Sequence, residues 1–150
     1  YTPEENSVLI AYSSVYGGTE SVANLVAAKL ADKGVKNIKM FDVSMTHSSF
    51  VLAEAFKYSH IVLATTTYNG QYFPFMKHFI DGLTERGYRN RTIGLIENGS
   101  WAPVAAKVMR DKFASSKNIT ILETTVRIKS ALNAESEAQL AQLADELLAD

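Results

Sequence analysis

Cysteine is absent from all 150 residues. That removes disulfides, thiolate-ligated metals and clusters, and cysteine nucleophiles. Histidine is scarce: His47, His60 and His78 are the three in the chain, far apart and without metal-ligand spacing. They read as a loop residue, a strand-edge residue and a helix-surface residue, and no metal site is expected. No apolar run approaches the roughly 18 residues that span a bilayer. The lead-in YTPEENS lacks the charged-then-apolar pattern of a signal segment. An excess of positive charge is missing too, since 15 Lys and Arg face 16 Asp and Glu, for a formal net charge of -1. A nucleic-acid-binding face needs a strongly basic patch. Nucleic acid and membrane are therefore set aside as partners, and a cytoplasmic location is expected, which the lack of cysteine permits.

The chain does have a 47% hydrophobic content, enough for one domain with a genuine core. Residues 1–7 read as a linker or a trimmed edge, and 8–150 as that domain. Short apolar runs recur at 8–12 (VLIAY), 38–43 (IKMFDV), 61–64 (IVLA), 92–96 (TIGLI) and 119–122 (ITIL). Three are almost wholly apolar, as strands covered on both faces must be, whereas IKMFDV alternates and reads as an edge strand. Between them lie stripes with helical spacing: Val22, Leu25, Val26 and Leu30, ended by Gly34; Met76, Phe79, Ile80 and Leu83, with Pro74 in the first turn; Val104, Ala105, Val108 and Met109; and Leu140, Leu143, Ala144, Leu147 and Leu148, capped by Asn133. SFVLAEAFKYS is the weakest helical segment. Fivefold strand–helix alternation predicts a doubly wound α/β fold with a parallel five-stranded sheet.

In such sheets ligands bind beyond the carboxyl ends of the strands. Three of those ends are polar and carry both glycine and an aromatic residue: SSVYGGTE, TTTYNGQYFP and ENGSWAP. The first leads into a helix, where free backbone N–H groups and the helix dipole suit an anion. Gly17 and Gly18 allow close backbone approach, and Ser14 and Thr19 add hydroxyls, so a phosphate can be held without a basic side chain. A plain tight turn with a threonine cap accounts for this first end equally well. Neither the P-loop pattern nor G-x-G-x-x-G occurs. A low-molecular-weight phosphatase would need a cysteine, and a receiver domain would need acidic residues where AYSS stands. Tyr68 and Trp101 each read alone as packing residues. Together with a phosphate nest, they suit a planar ring lying between them.

These residues resemble the flavodoxin family, which binds flavin mononucleotide (FMN) on a sheet of strand order 2-1-3-4-5. SVYGGTE is similar to the flavodoxin phosphate loop, with Tyr16 in place of its middle hydroxyl residue. More closely, it resembles SMYGNTE of the flavodoxin domain in flavodiiron proteins. ATTTYNGQYFPFMKHFIDGL and NGSWAPVAAKVM resemble that group's second and third loops. The resemblance implies a phosphate loop of Ser14, Val15, Tyr16, Gly17, Gly18 and Thr19. It places Tyr68 and Trp101 against the flavin ring. Thr67, Asn69, Gly70, Asn98, Gly99 and Ser100 would then face the ring's edge. It implies no catalytic side chain, and FMN rather than FAD or a nicotinamide nucleotide.

The function implied is electron transfer by bound FMN. The implied setting is the C-terminal flavodoxin domain of a flavodiiron protein, an oxidoreductase whose diiron site reduces oxygen or nitric oxide. The expected partner is a redox protein or domain: that diiron domain, a rubredoxin or a reductase. The alternatives are a free-standing short-chain flavodoxin, an FMN-dependent quinone reductase, and a flavin-free interaction domain that retains the fold.

Overall fold

The computed structural model describes residues 4–13, 18–68, 71–72, 74–98, 105–128 and 134–149. In chain order the elements are β1 (Glu4–Tyr12), α1 (Gly18–Asp32), β2 (Asn37–Asp42), α2 (Ser48–Ala55), β3 (Tyr58–Tyr68), β4 (Gln71–Tyr72), α3 (Pro74–Glu85), β5 (Arg91–Asn98), α4 (Ala105–Lys112), β6 (Ile119–Ile128) and α5 (Ala134–Ala149). Five strands run parallel in the order β2-β1-β3-β5-β6, and β4 pairs antiparallel with the end of β3. Without β4 this is the expected 2-1-3-4-5 order, and the alternating segment 38–43 forms an edge as expected.

Side-chain alternation along the strands divides the core in two. Leu9, Ala11, Ile61, Leu63, Ile93 and Leu95 face α2, α3 and α4. Val8, Ile10, Val62, Ala64, Ile96 and Val126 face α1 and α5. Both faces of β1, β3 and β5 are covered, which is why those strands carry unbroken apolar runs. The α3 stripe Met76, Phe79, Ile80 and Leu83 is fully buried. Helix α1 ends as expected, with Gly34 at a φ of +96° that other residues rarely adopt. At Gly94 an added Cβ would lie 3.1 Å from Leu143, so the missing side chain lets α5 settle close on β5.

Several expectations shift. The segment 1–7 is partly strand: β1 begins at Glu4, and Ser7 is buried. Between the pairs Glu4↔Tyr58 and Val8↔His60 the register slips, and the Ser7 hydroxyl accepts the Ser59 N–H at 3.0 Å. In α4 the buried phase is Ala106, Met109 and, just past the helix, Phe113, with Val108 only partly buried. Val104 lies outside the described residues, as does the expected cap Asn133. Leu148, at the margin of the α5 stripe, is 39% exposed. The weak segment 48–55 is a true helix, capped by the exposed His47, whose ring nitrogen faces the Ser49 N–H at 3.3 Å. His78 lies exposed on α3, and His60 sits near the start of β3.

The largest difference is in β6, expected to stop at Leu122 but running on to Ile128. Between Ile93↔Ile121 and Leu95↔Thr125, two steps along β5 match four along β6. This bulge is held from both faces. Arg110 of α4 donates to the Leu122 carbonyl at 2.9 Å and to the Thr125 hydroxyl at 2.8 Å. Glu146 of α5 accepts the Thr124 N–H at 3.1 Å and also its hydroxyl. A bulge interrupts the period-2 pattern, so ETTVRI reads as loop when it is strand.

Candidate functional site at the carboxyl ends of the central strands

Because β2 and β3 flank β1 on opposite sides, the strand order reverses at β1 and β3. A sheet of this kind opens its ligand crevice there. The registers Tyr12↔Ala64, Thr66↔Asn98 and Asn98↔Ile128 bring the ends of β1, β3, β5 and β6 to one level. The candidate residues lie at or after the ends of β1, β3 and β5, and none follows β6.

Just below that level the apolar sheet turns polar. Ser13, Thr65 and Glu97 are all buried. They share one face of the sheet, with Thr65 opposite Glu97 and Glu97 opposite Arg127. Ser13 follows β1, with its N–H on the Ala64 carbonyl at 3.0 Å. Its hydroxyl lies 2.9 Å from that of Thr65. Glu97, 1% exposed at its side chain, accepts from Arg127 Nε at 2.8 Å and from the Ala106 N–H at 2.8 Å. Ala106 lies in the first turn of α4, where backbone N–H groups lack intrahelical acceptors and the helix dipole favours an anion. The result is a four-strand polar row, Ser13–Thr65–Glu97–Arg127. Ser13, Thr65 and Glu97 each follow an apolar stretch at the same phase, which is the signal in the sequence, whereas the bulge removes it for Arg127. Reading 97 as the start of a loop, rather than the end of β5, hides it.

The candidate residues divide as follows. Gly18 and Thr19 open α1, which begins six residues past the last residue of β1. Thr67 and Tyr68 are the last residues of β3 and pair with Tyr72 and Gln71 of β4. Asn98 is the last residue of β5. Ser14, Val15, Tyr16, Gly17, Asn69, Gly70, Gly99, Ser100 and Trp101 lie outside the described residues. The β3–β4 hairpin was legible in principle, since Asn-Gly between aromatic residues is a strong hairpin signal. A phosphorylated ring compound fits what is described. The next element after β1 is a 15-residue helix, and a helix N-terminus suits an anion. The polar row supplies hydrogen-bonding groups beneath the neighbouring strand ends.

A cavity of about 450 Å³ lies to one side, between the turn after β2 (Val43, Met45, Thr46) and the start of α3 (Phe75, His78, Phe79). It is not at the three converging ends, and Met45 and Phe75 on its rim are exposed. Among the described residues no group of three or more possible metal ligands occurs. No helix described is long and apolar enough to cross a membrane.

The flavodoxin domain family pattern matches residues 9–136. The chain belongs to the flavodoxin domain family. It is 21% identical over 139 residues to the rubredoxin-oxygen oxidoreductase of Megalodesulfovibrio gigas, covering 93% of this chain and 34% of that protein. The solved structure of rubredoxin oxygen:oxidoreductase from Desulfovibrio gigas superposes with a TM-score of 0.88 at 20% identity, over 97% of this chain and 36% of that one. A flavodiiron protein variant from Thermotoga maritima gives 0.83 at 18% identity, over 98% and 36%. Flavodoxin 1 from Bacillus cereus gives 0.78 at 17% identity, over 95% and 97%. This flavodoxin domain thus spans about a third of the length of the oxidoreductases it resembles, and nearly all of a free flavodoxin. At these identities the superpositions speak for the fold alone.

Proposed function

We propose that this flavodoxin domain binds one FMN beyond the ends of β1, β3 and β5 and serves as an electron-transfer module. The observation that carries the reading is the buried polar row at those ends. Residues 14–19 would hold the phosphate through backbone N–H groups and hydroxyls. Tyr68 and Trp101 would flank the ring, with Thr67, Asn69, Gly70, Asn98, Gly99 and Ser100 at its edge. Bound FMN supplies one- and two-electron redox chemistry, while the protein orients it and sets its potential. No side chain need act as acid or base.

The proposed setting is a flavodiiron-type oxidoreductase, in which a diiron domain accepts the electrons and a rubredoxin or a reductase supplies them. The partial coverage of such proteins supports it. A free flavodoxin is the second reading, favoured by the full-length match to the Bacillus protein. Carriers that rely on electrostatic steering benefit from strong net charge, and -1 provides little. A cytoplasmic location accompanies either reading.

Acid release and chromatography of pigment from the purified chain should yield FMN. FAD, or a colourless protein that ignores added FMN, overturns the reading. Trp101 is the sole tryptophan, so FMN titration of the apo-protein should quench most of its emission.

A further inference from the structure

We infer that Glu97 is the positioning residue that sets the flavin-ring loop, by tying the start of the 98–105 segment to its far end. The inference rests on the FMN reading above and deepens it. Glu97 is the penultimate residue of β5, and the next residue, Asn98, opens the segment expected at the flavin ring. One carboxylate oxygen receives the N–H of Ala106, immediately beyond that segment, at 2.8 Å. The other receives Arg127 Nε from the neighbouring strand, also at 2.8 Å. A single buried carboxylate therefore fixes the exit of β5, the entry of α4 and the end of β6 against one another.

The β6 bulge is what makes this possible. From Thr92↔Thr120, an unbroken register would set Thr125 opposite Glu97, five steps on along each strand. The two extra residues of the bulge put Arg127 there instead. Arg110 and Glu146 grip the bulge from opposite faces of the sheet. Burying a carboxylate is costly without partners, and here both oxygens are satisfied by donors from separate elements. Such a group holds geometry more than it adds stability. Its effect falls on whatever the 98–105 segment holds, and the phosphate loop at 14–19 lies on other elements.

Glu97→Ala removes both ties. Glu97→Gln keeps an oxygen for the Ala106 N–H and loses the ion pair. In FMN and riboflavin titrations, Glu97→Ala is expected to weaken both flavins by about tenfold, leaving their affinity ratio as in the wild type. Glu97→Gln should recover most of that loss. A merely structural defect lowers both affinities through the folded fraction alone, so denaturant unfolding of each variant is measured beside the titrations, and a loss accounted for by the folded fraction overturns the inference. Unchanged affinity in a folded Glu97→Ala protein, or a loss confined to FMN, overturns the inference. If Glu97→Ala does not fold, Arg127→Met carries the test, because the Arg127 side chain is 60% exposed. It should weaken both flavins about threefold, and no change overturns the inference. Amide exchange at Ala106 in the flavin-free protein separates this inference from the FMN reading. Exchange should be at least tenfold faster in Glu97→Ala, whether or not flavin binds, and equal rates remove the tie. A wild-type chain that binds neither flavin overturns the FMN reading and, with it, the role assigned to Glu97 at the ring.

Discussion

Strand β5 carries a buried charge at each end, and the two do opposite jobs with the same physics. At its amino end Arg91 is 3% exposed and gathers backbone carbonyls: Tyr58 at 2.9 Å, Phe56 at 2.7 Å and Arg89 at 2.8 Å. Phe56 is the C-cap of α2, where carbonyls and the negative end of the dipole favour a cation. At the carboxyl end Glu97 meets an N–H in the first turn of α4, where an anion is favoured. The surroundings differ. Arg91 lies over the Tyr88 ring at 5.5 Å, and Tyr88 packs edge-on against Phe56 at 5.3 Å. Burial pushes the Tyr88 phenol well above its usual pKa. That end is closed by aromatic packing. Glu97 has a half-exposed ion-pair partner and stands beneath the strand ends proposed to meet the cofactor. One end of the sheet holds the fold, and the other is the end proposed to hold a ligand.

The hardest test of that division is Arg91→Met. It takes the charged donor from three carbonyls, and buried acceptors left unsatisfied cost about 1–3 kcal/mol each, so a total of about 3–5 kcal/mol is expected. Denaturant unfolding should show that loss, while the protein that remains folded should bind FMN as before. A folded variant with weakened FMN binding would show that the two ends are not separate. At the other end, Thr19→Val should lower FMN affinity roughly tenfold to a hundredfold, the equivalent of about 1.5–3 kcal/mol for a hydrogen bond to a charged group. Riboflavin, which has no phosphate, should be unaffected. Equal losses for both would take Thr19 away from the phosphate.

Thr65→Val breaks the buried pair with Ser13 and leaves a hydroxyl without its partner, at a cost of about 1–2 kcal/mol. Chemical denaturation measures it, and a neutral result would mean that water or a neighbour replaces the bond. The smallest effect is expected at Asp81 on α3, a carboxylate with two lysine partners but nearer solvent. Burial raises its pKa, but hydrogen bonds from Lys77 and Lys112, together with their charges, outweigh that and leave it below the usual value. A lowered folded-state pKa gives stability that is present above the unfolded value, about 3.9, and lost as pH falls through the folded one. Asp81→Asn should therefore cost under about 1 kcal/mol at neutral pH and nothing at pH 2. A difference that persists in acid would point to packing rather than charge.

By itself the sequence determined the layered fold. Apolar runs of strand length, separated by stripes of helical spacing, admit few arrangements, because each face must be buried against a neighbour. The alternation in 38–43 even marked the edge strand. It also marked the strand ends that bear glycine, hydroxyl and aromatic residues, because ligand-facing ends are where an apolar run stops. What it could not show is how residues far apart in the chain come to face one another. Glu97 in ENGSW reads as the first residue of a loop, and Arg127 lies beyond the expected end of the last strand at Leu122. Pairing them depends on two extra residues in β6, gripped by Arg110 from α4 and Glu146 from α5. Register is a property of two strands at once, and a bulge erases the alternation by which one strand announces its own faces. The tertiary structure alone decided that the polar row crosses four strands, because only packing against helices on both faces fixes which residues lie opposite.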